Sequence, residues 1–209
     1  MPDPHSTRRD SSDTQNLLIR LEDGDPRALD LLLESYRNYL KKLIDLRMDN
    51  ELRVRVDPSD VVQEAQLVAS QRIDDFLRRR PGSFRVWLRS TALERMVDLH
   101  RRHLAEKRSV RREVPRAGAS SLATAQHPRA ERPSQIAHRR ELATEVRQVI
   151  TGLGRKDQEI LMLRHVEELT NAEAAEVLAI APATARKRLG RALLRLAKLL
   201  DEQGIQLDS

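Results

Sequence analysis

At Asp25-Pro26 and again at Asp57-Pro58, each just ahead of an apolar helical pattern, an aspartate is followed directly by a proline. No other short signal here constrains the fold as tightly. The aspartate carboxylate accepts from an early helical amide, and proline at the first helical position brings a preset φ while giving up only an amide that has no intrahelical partner. Helices are therefore expected from Pro26 to about Met48 and from Pro58 to roughly Arg79. Within the first of these, Leu29, Leu32, Leu33, Tyr36, Leu40, Leu43 and Ile44 define an interior face. A shorter helix capped by Asp13 and ending near Leu21 comes before it. After the break RRRPGSF a long helix is expected from about Phe84 to Arg112. These four helices make a compact all-α domain.

Downstream, the stretch from Pro115 to Gln135 is rich in Ala, Ser and Pro without apolar periodicity and reads as a flexible linker. Ser134 is placed to cap the next helix, where Leu142, Val146, Val149, Ile150 and Leu153 keep helical spacing until Gly152 and Gly154 end it. Asp157 starts another helix through about Glu168. Thr170-Asn171-Ala172-Glu173 is a capping box, in which the threonine side chain accepts from the amide of Glu173 while that glutamate reaches back. A short helix to Leu178, a turn at Ala179-Ile180-Ala181 and Pro182 at the first turn of a final helix complete the pattern. The expected fold class is thus all-α, with two small helical domains. A disordered start (1–12) leads into the first domain (13–112), and a linker (113–134) joins it to the second (135–203), which is followed by a short tail (204–209).

Composition agrees with that class. Aromatic residues are only 2% of the chain and glycines number 7, which disfavours a large sandwich or barrel. The absence of cysteine removes disulfide scaffolds, thiolate zinc sites and cysteine nucleophiles. No apolar run approaches a bilayer span, and MPDPHSTRRD is too polar for a secretory signal, so a cytoplasmic protein without a membrane association is expected.

The formal net charge of +6 is unevenly spread. Residues 1–71 hold 10 basic and 14 acidic side chains, residues 72–112 hold 13 and 5, and residues 113–209 hold 15 and 13. The final helix, PATARKRLGRALLRLAKLL, carries six Lys or Arg and no acid. On a wheel Leu189, Leu193, Leu196 and Leu200 form an apolar stripe, and Lys187, Arg188, Arg191, Arg195 and Lys198 gather opposite, with Arg186 at the border. A capped short helix, a three-residue turn and a second helix with an exposed basic face make a helix-turn-helix. The natural partner of such a face is a polyanion, DNA above all, with Arg and Lys reaching phosphates and guanine edges.

LTNAEAAEVLAIAPATARKRLGRALLRL resembles the carboxy-terminal domain of bacterial RNA polymerase sigma factors of the sigma-70 family, extracytoplasmic-function group. Leu169, Glu173, Ala175, Leu178, Ile180, Thr184, Arg186, Arg188, Leu189, Arg191 and Ala192 fill the family pattern. Earlier, EDGDPRALDLLLESYRNYL resembles the opening of the amino-terminal sigma domain, DPSDVVQEAQLVA its polymerase-binding helix, and FRVWLRSTALERMVDLHRRH its promoter-melting helices. The resemblance implies a non-enzymatic subunit, with no catalytic residues and no cofactor, that directs core polymerase to promoters and opens them. It implies that Asp60, Gln63 and Glu64, at i, i+3 and i+4 on one polar helix face, grip a coiled coil of the largest polymerase subunit. It assigns Thr184, Arg186, Lys187, Arg188 and Arg191 to the −35 element of promoter DNA. It assigns Arg78, Arg79, Arg80, Arg85 and Arg89 to phosphates at the −10 element, with Trp87 either stacking on a base or packing in the core. Anti-sigma factors are a further partner class of the family. Glu94 stands where the family commonly has asparagine, and Gly190 where a larger contacting residue is frequent.

Two rival readings are weighed against this one. An enzyme would have to use Asp74-Asp75, Glu167-Glu168 or His100 with His103. Adjacent carboxylates do not face each other on a helix, and the histidines lack a third ligand nearby, so all of these read as surface residues and no metal site is assigned. A free-standing helix-turn-helix regulator that does not join polymerase is the other alternative.

Overall fold

The computed structural model describes residues 11–113 and 148–204. Residues 1–10 of the expected disordered start, 114–134 of the expected linker, the Ser134 cap, Leu142 and Val146 lie outside the described residues, whereas Ser12 and Glu113, expected in the start and the linker, are helical. Among those described there is no strand, and no helix is long and apolar enough to cross a membrane.

Helix α1 spans Ser12–Glu22 and is capped by Ser11, whose side chain accepts from the Thr14 amide. The expected cap, Asp13, lies inside the first turn instead, where its charge favours the positive end of the helix. Both Asp-Pro signals act as read. Asp25 caps α2, Pro26–Ser35, and Asp57 caps α5, Pro58–Arg79. In each case the carboxylate accepts from a first-turn amide; hydrogen bonds from the Arg20 guanidinium and then the Arg27 amide hold the Asp25 carboxyl below its ordinary value, and the Ser59 amide does the same for Asp57.

The helix expected to continue to Met48 is broken at Tyr36 into α2 and α3, Arg37–Arg47. Tyr36 has φ −95° and ψ −3°, off regular helix. Its hydroxyl shares a 2.9 Å hydrogen bond with the Thr14 hydroxyl, and its ring lies 5.4 Å from that of Phe84. Tertiary contacts on both sides of the ring thus accompany the break. A short α4, Asn50–Arg53, capped by Asp49, adds a turn that the sequence reading lacked.

Helices α5 and α6, Phe84–Glu113, form the backbone of the first domain. Ala65, Ala69 and Ala92 are fully buried along them, which permits a close approach. Around this pair Leu18, Leu32, Leu40, Leu43, Ile44, Phe76, Phe84 and Leu88 make one continuous core. Each large side chain contributes about 1.5–3 kcal/mol relative to exposure.

The second domain has its own core of Leu153, Ile160, Leu161, Leu163, Leu169 and alanines 174, 175, 185 and 192. It comprises a helical turn at residues 148–152 (α7), α8 at Arg155–Leu161, a π-helical turn at Met162–Val166, α9 at Asn171–Val177 and α10 at Pro182–Glu202. Helix α8 starts at Arg155, after Gly154, and not at Asp157. Asp157 is buried and paired with Arg195.

The stripe read on α10 is corrected by the packing. Ala185, Ala192 and Leu200 are buried, and Leu189, Leu196 and Leu199 are half-buried, whereas Leu193 is 40% exposed. The contact line is centred on small residues, which let α10 approach α8 and α9 closely.

Candidate nucleic-acid interface

The second domain builds its exposed basic face from α9, a turn and α10. The capping box forms as read: Thr170 Oγ1 accepts from the Glu173 amide at 3.2 Å, and Glu173 accepts from the Thr170 amide at 2.7 Å. Ala179 takes φ +51° to reverse the chain, and the Ile180 amide donates to the Ala175 carbonyl at 3.0 Å. Ile180 packs against the core, which fixes the angle at which α10 leaves. Proline at the first turn and the Ala181 carbonyl, accepting from Thr184 and Ala185 amides, then start α10 without a side-chain cap.

Thr184, Arg186, Lys187 and Arg191 are exposed on α10, and Arg188 is half-buried. All of these except Arg186 border, with Arg155 and Lys156 from the start of α8, an open cleft of about 560 Å³ lined by Gly154, Arg155, Lys156, Asp157, Thr184, Lys187, Arg188, Arg191 and Arg195. The only carboxylate in that lining, Asp157, is occupied by Arg195. The other five cations of the lining have no carboxylate partner among the described residues, which suits a run of phosphates. Arg155 and Lys156 were missed in the sequence, because their place beside α10 depends on how α8 packs.

The first domain treats its candidates differently. Arg78 pairs with Asp75, Arg79 is exposed, and Arg80, at φ +41°, bonds Glu22 at 2.6 Å and lies 5.8 Å from the Phe76 ring centre. Trp87 is half-buried, packed on Phe76 and Phe84 with ring centres 4.9 Å and 5.5 Å away. Glu94 is exposed and 3.7 Å from Arg72.

Arg85 and Arg89 face the second domain. Arg89 donates to both oxygens of Glu167, at 2.6 Å and 3.2 Å, and Arg47 donates to the same carboxylate at 2.5 Å. Arg85 donates to the carbonyls of Glu167 and Glu168 at 2.8 Å and 3.0 Å and covers the ring of Tyr39 at 4.3 Å. The surface reading of Glu167 is therefore corrected: its side chain is 1% exposed, and only Glu168 lies outside. Burial pushes the Glu167 carboxyl up, but the Arg89 and Arg47 hydrogen bonds and charges outweigh it and hold it below the usual range. Burial also raises the Tyr39 hydroxyl to about 12, partly offset by Arg85.

On α5, Asp60 and Gln63 are exposed, while Glu64 is half-buried and bound by Arg95 at 2.6 Å. Leu67, one turn further along that face, is 59% exposed. A large apolar side chain in water amid polar neighbours was a legible signal in the helical spacing, and the sequence reading passed over it.

Two helical domains, the second containing a helix-turn-helix with an exposed basic face, define the architecture of a DNA-binding protein. Comparison with known proteins makes the class specific. Residues 143–196 match the family described as sigma-70, region 4. Over 156 residues the chain is 34% identical to the RNA polymerase sigma factor CnrH of Cupriavidus metallidurans, covering 69% of this chain and 74% of that one. The fold matches a solved structure of CnrH in complex with the cytosolic domain of CnrY with a TM-score of 0.52 at 23% identity, over 91% of this chain and 99% of that one. The chain belongs to the sigma-70 family of RNA polymerase sigma factors, in the extracytoplasmic-function group. A free-standing regulator is not favoured.

Proposed function

We propose a division of labour within this sigma factor. Helix α10 enters the major groove of the −35 element, with Thr184, Arg186, Lys187, Arg188 and Arg191 toward bases and phosphates and Arg155 and Lys156 adding phosphate contacts alongside. The first domain takes the −10 element with Arg78, Arg79, Arg80, Arg85, Arg89 and Trp87. The α5 face of Asp60, Gln63 and Glu64 meets the largest polymerase subunit, and Leu67 adds an apolar anchor of the kind interfaces bury at their centre. Polymerase supplies the chemistry of transcription, and this chain supplies position and electrostatics. The solved complex of CnrH with the cytosolic domain of CnrY supports a further protein partner for this chain, of the anti-sigma class that the family resemblance implies.

The observation that carries this reading is the basic face of α10, exposed behind a capping-boxed helix, on which Arg186, Lys187, Arg188 and Arg191 have no carboxylate partner among the described residues, while Arg195 pairs with Asp157 and Lys198 with Glu202. Alanine at Arg186, Arg188 and Arg191 tests it. Promoter-duplex affinity falls steeply if the assignment is right, and unchanged binding refutes the −35 role.

A further inference from the structure

Residues 72–112 hold 13 basic side chains, and the function above uses only Arg78, Arg79, Arg80, Arg85 and Arg89. Two more are engaged within the first domain, Arg72 with Glu94 at 3.7 Å and Arg95 with Glu64 at 2.6 Å. The others, Arg101, Arg102, Lys107, Arg108, Arg111 and Arg112, all fall in the C-terminal half of α6. Among the described residues the first-domain core reaches along α6 only to Leu99, and the furthest pairing is His100 with Asp49 at 3.2 Å. The helix itself runs on to Glu113, roughly 21 Å past Leu99 at 1.5 Å per residue.

Helical register separates the charges of this half. Lys107, Arg108, Arg111 and Arg112 share one arc about 140° wide, and Glu106 and Glu113 fall on the opposite side. Arg102 belongs to the acidic side, four residues from both Asp98 and Glu106. None of the four bases on the arc has an acid three or four residues away. They are instead neighbours of one another: Lys107 with Arg111 and Arg108 with Arg112 at i, i+4, and Arg108 with Arg111 at i, i+3. Like charges at these spacings destabilise a helix. The helix dipole favours cations only in the last turn, so it accounts for Arg111 and Arg112 and not for Lys107 and Arg108. A polyanion lying along the arc removes the repulsion.

We propose that the C-terminal half of α6 is a third DNA contact, in which Lys107, Arg108, Arg111 and Arg112 take backbone phosphates of the duplex between the −10 and −35 elements. The proposal rests on the reading that the two domains hold those elements. Continuity along one helix selects this occupant: α6 opens with Arg85 and Arg89, read as −10 contacts, and Arg108 follows Arg89 by roughly 28 Å of helix, the axial length of about eight base pairs. Contacts of this kind add affinity and fix the register of the protein on the duplex, and they carry no sequence information. The spacer is thus held for its charge and its length.

The full-length protein is titrated onto a random-sequence duplex of about 40 base pairs by fluorescence anisotropy across a salt series. Glutamine at Lys107, Arg108, Arg111 and Arg112 together keeps good helix formers and removes the like-charge pairs, so the variant is expected to fold at least as stably as the parent. Its affinity is expected to fall about tenfold or more near 0.1 M salt, and its salt dependence to flatten by about two or more counterions. Arg108→Gln alone is expected to flatten it by about one counterion, which keeps the test independent of the fourfold change. Lys107→Arg with Arg108→Lys, Arg111→Lys and Arg112→Lys keeps the charges and is expected to hold affinity within about twofold. Glu106→Gln with Glu113→Gln alters the opposite side and is also expected to stay within about twofold.

Unchanged affinity and salt dependence in the fourfold glutamine variant overturn the proposal. So does a gain from the two glutamate substitutions as large as the loss from the glutamines, because the duplex would then be reading net charge and not one face. Duplex binding that holds while co-elution with core polymerase is lost would assign the arc to an acidic protein surface, which also overturns it. Failure of the wider reading shows elsewhere: unchanged duplex binding after the α10 alanine substitutions refutes the −35 role, whereas the α6 glutamines would still flatten the salt dependence in that background.

Discussion

Helix α10 and the start of α6 carry comparable positive charge, yet they meet the rest of the molecule in opposite ways. On α10 the cations stand in water around a cleft whose single acid is already paired. On α6, Arg85 and Arg89 are drawn onto a turn that lies some eighty residues away in sequence. The same residue type is thus presented in one domain and sequestered in the other. Charge pattern alone reports the supply of cations, and only the tertiary partner decides whether a cation is available to a ligand.

That contrast can be broken or sharpened at several strengths. The largest effect belongs to α10: replacing Arg186, Arg188 and Arg191 together by alanine lowers duplex affinity by about a hundredfold or more and flattens its salt dependence by roughly three counterions. Fluorescence anisotropy across a salt series reads both quantities. A loss of severalfold or less would mean that the exposed face is not the main contact.

Next comes a double-mutant cycle at the seam between the domains. In the parent, Arg89→Ala changes single-strand affinity by less than about twofold, because the residue is already occupied. In the Glu167→Gln background the same substitution costs about fivefold or more. Equal effects in both backgrounds would show that Arg89 is not gated by Glu167.

A smaller effect concerns the scaffold beneath the open face. Thr170→Ala removes the cap of α9 and lowers second-domain stability by about 1 kcal/mol, measured by urea denaturation. Its duplex affinity under native conditions stays close to that of the parent.

The mildest perturbation is pH. The Glu167 carboxyl lies below its ordinary value of 4.5 when the domains are docked and returns toward it when they part. Docking is therefore fully supported above that ordinary value and lost as pH falls through the depressed one. Energy transfer between dyes on Glu34→Cys of α2 and Glu202→Cys of α10, in a chain with no other cysteine, is expected to be flat from pH 8 to pH 5 and to decline only below about 4.5. A decline near pH 6.5 would point to a histidine instead.

What was legible in the sequence follows the range of the forces involved. Asp25-Pro26, Asp57-Pro58 and Thr170 with Glu173 act within one helical turn, and each formed as read. The basic face of α10 was legible for the same reason. Errors begin where a distant group takes part. Tyr36 interrupts a helix in contact with Thr14 and Phe84, and Asp157 is drawn from a cap into a pair with Arg195. The α10 stripe was misplaced because the wheel followed the large leucines, while buried alanines 185 and 192 mark the closest approach and leave Leu193 and Leu194 in water. Glu167 was read as a surface acid because its two arginine partners are 78 and 120 residues away. No local pattern carries that information.

The central claim, a sigma factor that joins polymerase through α5, is tested most directly by co-elution with sigma-free bacterial core polymerase. Wild type is compared with a variant carrying Asp60→Lys and Leu67→Asp, two exposed changes that leave the Glu64–Arg95 pair alone. The account predicts that wild type co-elutes, and that the variant does not while retaining its duplex affinity. Wild-type protein that binds DNA but fails to co-elute with core polymerase would contradict it.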